Sequence, residues 1–292
     1  MKIAIYGRNF ANKYTEQVQA LFDKLHESGA RLYIYNTFFE FLQSRIQLKE
    51  TVCAFTNHTE IRNNVDFLIS IGGDGTMLDT VSLVRDSGIP VIGFNTGRMG
   101  FLSSISVDDM DEALNALMSK SFSIEQRSLL RLESESKIFG EVNYALNELT
   151  IHKKDSASMM LIHASINGEY LNSYWADGLI ISTPTGSTAY SLSCGGPLMM
   201  PDSENFAITP IAPHNLNVRP MVISDKSKIE LKIEGRSKHY LAALDSRSTS
   251  VKAEETITIV KEDFKFNLIR IKDLSFLYML RKKLMWGMDL RN

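Results

Sequence analysis

Ile69-Ser70-Ile71-Gly72-Gly73-Asp74-Gly75-Thr76-Met77-Leu78 joins an uncharged apolar run to a helical one through three glycines and a single carboxylate. The residues before the turn read as a buried strand, and Met77, Leu78, Val81 and Val84 after it fall on one helical face. In an open α/β sheet, ligands bind where such a strand gives way to its helix. Glycines admit close backbone approach and positive φ, and the turn amides with the helix N-terminus make a seat for phosphate. Asp74 is the unusual member, because a carboxylate beside phosphates repels them unless it serves as a metal ligand or a base. Its other reading is a helix N-cap. The segment lacks the Gly-Lys-Ser/Thr ending of a P-loop and is not the G-x-G-x-x-G dinucleotide fingerprint, so a hydride-transfer enzyme loses its main support.

Outward from this turn, the first ~120 residues alternate short apolar runs with longer periodic ones, as β-α-β units do around a parallel sheet. Ile3 to Gly7, Leu32 to Tyr35, Phe67 to Ile71 and Val91 to Phe94 read as strands. Thr15 to Glu27 sets Val18, Leu21, Phe22 and Leu25 on one face, and Asp108 to Ser119 does the same with Met110, Ala113, Leu114 and Leu117. Residues 1–124 are therefore expected to form a doubly wound, parallel α/β domain. After Ser123 the period changes to two, most plainly in Lys228 to Glu234, where apolar and charged residues alternate. Asn143 to His152, Met159 to Ile166, His239 to Leu244 and Glu255 to Lys261 share that texture, which predicts a β-rich domain over 125–270. The last stretch, 271–292, holds Phe276, Leu277, Leu280 and Leu284 at helical spacing, with Arg281, Lys282 and Lys283 as a solvated helix end.

Lys and Arg total 32 against 34 Asp and Glu, a net charge of -2 that offers no general field for nucleic acid or anionic lipid. Any anionic ligand must be held locally. Cys53 and Cys194 match neither a zinc spacing nor a disulfide framework and read as small buried residues of a reducing compartment. No apolar run approaches the ~18 residues of a membrane span or makes a signal peptide, so a cytoplasmic protein is expected.

Two further segments carry chemistry. Asp177 to Pro197, with the run Thr183-Pro184-Thr185-Gly186-Ser187-Thr188-Ala189-Tyr190-Ser191-Leu192-Ser193, leads an apolar strand into a turn dense in hydroxyls and glycine. It reads as a nucleotide site, with Tyr190 offering a ring for stacking, or as a structural turn with a capped helix. Leu146-Asn147-Glu148-Leu149 sets an amide beside an acid on what looks like a strand, where neighbours face opposite ways. Either that pair borders a cavity or the strand ends there.

These three segments, in this order and at these separations, resemble the NAD kinase family. The resemblance extends to Asn95-Thr96-Gly97-Arg98-Met99-Gly100-Phe101-Leu102 and to Pro210-Ile211-Ala212-Pro213-His214 with Arg219-Pro220, so it covers practically the whole chain. Gly-Gly-Asp-Gly alone is shared with diacylglycerol and sphingosine kinases, whereas the Thr-Pro-Thr-Gly-Ser-Thr-Ala-Tyr run is far more restrictive. The resemblance implies an α/β domain, a β-rich domain and a final segment that returns to the first. It implies transfer of the γ-phosphoryl group of ATP or another donor to the adenosine-ribose 2′-hydroxyl of NAD, making NADP. Such a transfer needs the phosphoryl charge stabilised, which the turn amides from Gly72 to Thr76 and a divalent cation, Mg²⁺, would supply. Asp74 would accept the hydroxyl proton, beside Gly75. Asn147, Glu148, Asp177, Thr188, Ala189, Tyr190, Ser191, Leu192, Ser193 and Ala212 would contact the dinucleotide, and Arg247 could also reach it. A homodimer or homotetramer, with no nucleic-acid or membrane partner, is implied as well. Trp175 departs from the pattern, standing where many bacterial relatives carry a basic residue, and reads either as a stacking ring or as core. Arg98 reads as a phosphate contact or a solvated loop charge. The rivals are a lipid or sugar kinase built on the same glycine turn, and an NAD-binding sensor in which Asp74 is inert.

Overall fold

The computed structural model describes residues 1–49, 51–97, 99–106, 109–154, 159–235, 237–271 and 275–286. The chain divides into two compact units, Met1–Gln126 joined by the segment from Phe266 onward, and Arg127–Lys265.

The first unit is built on an eight-stranded sheet. Its path runs Cys53–Phe55, Arg31–Tyr35, Lys2–Gly7, Phe67–Ile71, Val91–Asn95, Phe266–Arg270, Ser123–Arg127, with Ile105–Ser106 paired off Val91–Asn95. The pairings from Cys53–Phe55 across to Phe266–Arg270 are parallel. Phe67–Ile71 and Val91–Asn95 are buried along their whole length, as strands covered on both faces must be. One face packs helices Thr15–Glu27 and Met110–Met118, whose Val18, Leu21, Phe22, Leu25, Met110, Ala113, Leu114 and Leu117 join Ile3, Ile5, Ile69 and Phe94 in one core. Helix Asp74–Val84 covers the opposite face, with Met77 seated against Gly93, the neighbour that alternates with Ile92 and Phe94. The doubly wound reading therefore holds, although Asp108 lies outside the described residues.

Helix Asn36–Gln43 and strand Cys53–Phe55 have no counterpart in the sequence reading. The strand has three residues at a sheet edge, too few to show a period, and the helix follows strand Arg31–Tyr35 without a loop between them. The second boundary also moves. The return to the first sheet starts at Phe266 rather than at 271, because Phe266–Arg270 inserts beside Val91–Asn95 with Leu268 opposite Val91. In sequence, so short an apolar run at the end of the β-rich stretch looks like one more strand of that part. Helix Phe276–Leu284 follows, capped by Ser275, whose hydroxyl accepts from the Tyr278 amide at 3.1 Å. Arg281, Lys282 and Lys283 are exposed on it.

The second unit is a pair of six-stranded antiparallel sheets. One runs Met221–Ser224, Asn205–Ile211, Gly178–Ser182, Glu148–Lys153, His239–Leu244, Arg247–Lys252, and the other Glu169–Ala176, Met160–Ile166, Ile229–Gly235, Ile257–Lys261, Leu130–Glu133, Tyr144–Ala145. Their inner faces meet in a shared core that includes Leu149, Ile151, Leu179, Ile181, Ile162, Leu231 and Ile259. The alternation in Ile229–Gly235 places Ile229, Leu231 and Ile233 in that core. The stretch from Asn143 to His152 is not one strand: Tyr144–Ala145 belongs to one sheet and Glu148–Lys153 to the other, so Leu146 and Asn147 form the crossing.

Candidate active site

At the end of the buried strand Phe67–Ile71 the chain turns through Gly72 and Gly73, and the helix starts at Asp74. Gly72 adopts φ +151°, and a Cβ there would lie 2.2 Å from the Thr76 hydroxyl oxygen, so the turn requires glycine. Gly73 is the cap residue, and no side chain caps this helix. Asp74 is thus not an N-cap. Its carboxylate points to the loop after the next strand, where the amide of Phe101 donates to Oδ2 at 2.8 Å. The amides of Leu102 and Ser103 donate to Oδ1 at 3.1 and 2.8 Å. That approach leaves no room beneath the carboxylate, because a Cβ on Gly100 would fall 1.7 Å from Oδ1. Gly75 is exposed, with nothing within 4 Å of where a Cβ would stand, so the turn stays open on that side.

The loop is itself braced. Asn95 Nδ2 donates to the Ser103 carbonyl at 3.0 Å, its Oδ1 accepts from the Gly97 amide at 2.6 Å, and the Ser103 hydroxyl donates to the Gly72 carbonyl at 3.0 Å. From the returning strand, Arg270 donates to the Phe101 carbonyl at 3.3 Å, to the Ser104 hydroxyl at 3.1 Å and to Glu125 at 2.7 Å. The Phe101 ring meets Phe276 at a centroid separation of 6.2 Å, with the Lys283 ammonium 4.6 Å from its centre. Sequence reasoning missed Arg270, and no local pattern marks it. Arg98 lies outside the described residues.

In the second unit the crossing at Leu146-Asn147 is held from below by Asp245. Its carboxylate accepts from the amides of Leu146, Asn147 and Glu148 at 2.8, 2.8 and 3.1 Å, from a backbone at φ +52°. Desolvation raises the Asp245 carboxyl above its ordinary pKa, against those three hydrogen bonds. Above it, the Thr183 amide and hydroxyl bond the carbonyls of Asn147 and Leu146 at 2.9 and 2.5 Å. Gly186 packs directly on the crossing, where a Cβ would lie 2.1 Å from the Asn147 carbonyl oxygen. Asn147 and Glu148 are thereby fixed at the head of strand Glu148–Lys153 with both side chains buried. Glu148 Oε2 has no hydrogen-bond partner. Burial, and then the Asp245 charge, push its carboxyl up to about 8.

Strand Gly178–Ser182 leads into a short turn, Gly186–Thr188, and one helical turn, Tyr190–Ser193. Tyr190 and Ser193 are exposed, and Thr188, Ala189 and Leu192 are partly so. Ser191 is fully buried, its hydroxyl 2.9 Å from that of buried Thr209 and its carbonyl taken by the Cys194 and Gly196 amides at 3.1 and 2.8 Å, so the ligand contact expected there is not open. The Thr188 hydroxyl donates to the Thr185 carbonyl at 3.1 Å. Trp175 is 50% exposed, which removes the core reading and leaves a ring open for stacking. Its carbonyl accepts the His214 amide at 2.8 Å, and the Asp177 amide donates to the Ile211 carbonyl at 2.9 Å, so Trp175, Asp177 and Ala212 share one end of neighbouring strands. Lys153 pairs with Asp177 at 2.6 Å, which sets a cation beside the carboxylate although position 175 carries none. Arg247 is turned onto the carbonyls of Val142 and Tyr144. Asp245, two residues earlier, does the work that the sequence left unassigned.

Both cysteines are free, and each is half-buried rather than buried; Cys194 shares a hydrogen bond with Tyr190. Among the described residues no cluster of His, Cys, Asp and Glu could hold a metal ion, and no helix is long and apolar enough to cross a membrane.

Residues 10–122 match the ATP-NAD kinase N-terminal domain family and residues 146–271 the ATP-NAD kinase C-terminal domain family. The chain is 47% identical to an NAD kinase of Flavobacterium psychrophilum and 45% identical to one of Cytophaga hutchinsonii, each over 100% of both chains. A crystal structure of an NAD kinase from Archaeoglobus fulgidus in complex with ATP superposes with a TM-score of 0.73 at 25% identity, over 98% of this chain and 99% of that one. Yeast NADH kinase complexed with NADH shares the fold, with a TM-score of 0.89 at 23% identity over 100% of this chain and 89% of that one. With both of its units matched and full-length relatives at this identity, the chain belongs to the NAD kinase family of phosphotransferases.

Proposed function

We propose that the chain transfers the γ-phosphoryl group of ATP to the 2′-hydroxyl of the adenosine ribose of NAD, with Asp74 Oδ2 accepting the hydroxyl proton. The observation that carries this is the coordination of the Asp74 carboxylate. An ionised carboxylate offers about four acceptor sites. The three loop amides use two on Oδ1 and one on Oδ2, which leaves one acceptor position, on Oδ2, beside the glycine turn. A sugar hydroxyl is a poor nucleophile at neutral pH, so transfer needs its proton accepted and its oxygen held in line. The amide clamp supplies orientation without a reorganisation cost during reaction.

Glu148 and Asn147 are suited to the ribose hydroxyls of the dinucleotide. A carboxyl that stays largely protonated at neutral pH presents both a donor and an acceptor, and its unpartnered buried oxygen calls for a ligand group. Thr188, Ala189, Tyr190, Leu192, Ser193, Asp177 and Ala212 would hold the rings and the remaining hydroxyls, with buried Ser191 bracing the turn beneath them and Trp175 stacking. Arg247 acts by fixing the chain around Tyr144 rather than by touching the ligand. A divalent cation, Mg²⁺, would arrive as part of the donor: three acceptor positions of the Asp74 carboxylate are taken by amides and the fourth faces the hydroxyl, and phosphate oxygens are the hard ligands that Mg²⁺ takes. The assembly is a cytoplasmic homodimer or homotetramer in this reading.

The test is to incubate the purified protein with NAD, ATP and Mg²⁺ and follow NADP with a dehydrogenase strictly dependent on it, using D74N as the paired control. NADP from the wild type and not from D74N is the expected result. No NADP from a folded protein that binds NAD would overturn the reading.

A further inference from the structure

The strand order of the first sheet reverses at Lys2–Gly7: the chain steps outward to Arg31–Tyr35 and Cys53–Phe55, then crosses back to pair Phe67–Ile71 on the other side. Ligands of open α/β sheets sit at such a reversal, beyond the carboxyl ends of the two strands that flank it. One of those ends is the glycine turn, and the other is Arg8. Gly7 is in register with Ile71, and the Arg8 amide donates to the Ile71 carbonyl at 3.4 Å, so Arg8 stands directly beside Gly72.

The Arg8 side chain is held in place by the helix that the glycine turn starts. Asp79 Oδ2 accepts from Arg8 Nε at 2.8 Å and Nη2 at 2.6 Å, and from the Tyr6 hydroxyl at 2.9 Å. Burial, and then the Asp79 charge, push the Tyr6 phenol up to about 12, so it remains a donor to that carboxylate. The Arg8 side chain nevertheless stays 56% exposed, against 17% for Asp79. An exposed ion pair contributes little to stability, so a guanidinium gripped along one edge and open on the other is better understood as an oriented cation. The turn from Gly72 to Leu78 supplies amides but no positive charge, and the net charge of -2 gives no background field for a polyanion.

We propose that Arg8 binds the phosphate chain of the phosphoryl donor, with Asp79 and Tyr6 as its positioning residues. The assignment rests on the phosphoryl-transfer reading above and adds the group that grips the donor. Arg is the side chain suited to paired hydrogen bonds with phosphate oxygens.

The experiment compares wild type, R8Q, R8K and D79N in two readouts: KM for ATP and for NAD, and calorimetric binding of inorganic tripolyphosphate. R8Q is expected to raise KM for ATP by ~10-fold and to weaken tripolyphosphate binding by a similar factor, with KM for NAD and the melting temperature nearly unchanged. R8K, which keeps the charge and loses the fork, should fall between, and D79N should show a smaller rise. Unchanged tripolyphosphate affinity in R8Q would overturn the assignment, as would parallel rises in both KM values with a lower melting temperature, the mark of a structural brace. The absence of NADP formation by wild type would instead count against the phosphoryl-transfer reading, while the tripolyphosphate comparison would still read Arg8 directly.

Discussion

Gly100 and Asp74 are in contact so close that no other residue fits at position 100: its Cβ would lie 1.7 Å from the carboxylate oxygen that accepts the Leu102 and Ser103 amides. Replacing Gly100 with Ala therefore has to displace either the carboxylate or the loop. Overpacking of this kind costs about 1–3 kcal/mol, and a displacement of about 1 Å at a reacting group costs on the order of 10²-fold in rate. G100A is expected to retain a folded, NAD-binding protein with kcat reduced by about that factor, read by steady-state kinetics beside a thermal melt. A near-normal kcat would show that the Asp74 orientation is not needed.

Asp74→Asn keeps the shape and removes the proton acceptor. The new amide group also faces one of the loop N–H donors, so at least one of the three hydrogen bonds is lost. Turnover should fall by ~10² or more, with the dissociation constant for NAD changed much less. Equal losses in rate and in binding would point to a structural carboxylate.

Arg270 tests whether the returning segment matters for chemistry. It holds the Phe101 carbonyl, and the Phe101 amide holds Asp74. Arg270→Lys should loosen that chain of contacts and lower kcat roughly 10-fold while leaving KM for NAD within a factor of about two. A purely structural role would lower the melting temperature and leave kcat per folded molecule intact.

Glu148 predicts a pH dependence. Its folded pKa of about 8 lies above the ordinary value of 4.5, so the folded state binds the extra proton between those limits. Stability associated with this group is fully present below about pH 4.5 and is lost as the pH rises toward 8, with a total on the order of a few kcal/mol. Denaturant midpoints of wild type should fall across that window, and those of E148Q should fall less. Weakening of NAD binding above pH 8 in wild type but not in E148Q would follow from loss of the carboxyl proton.

Ser191→Ala separates the inward side chain from the ligand-facing run. The buried Thr209 hydroxyl would lose its 2.9 Å partner, at a cost of about 1–3 kcal/mol. Unfolding free energy should drop by that amount with the affinity for NAD unchanged. A selective loss of NAD affinity at constant stability would mean that the Ser191 hydroxyl reaches the ligand.

The sequence by itself determined the features that repeat within a few residues: the strand, glycine turn and helix around Asp74, the amphipathic faces of Thr15–Glu27 and Met110–Met118, and the period-two strands such as Ile229–Gly235. Those are written in side-chain period and in glycine, and each can be read in one window. It also marked the three chemistry-bearing segments, since each is short and unusual. Tertiary structure alone decided what orients them. The donors to Asp74 lie 27 to 29 residues away, and the acceptor beneath Leu146, Asn147 and Glu148 lies 97 to 99 residues away. Arg270 reaches Phe101 across 169 residues. All three arrangements use backbone amides or carbonyls, which every non-proline residue carries, so no residue type announces them. Phe266–Arg270 likewise could not be assigned to its sheet in advance, because a five-residue apolar strand can serve either sheet and only the place beside Val91–Asn95 fixes where it goes.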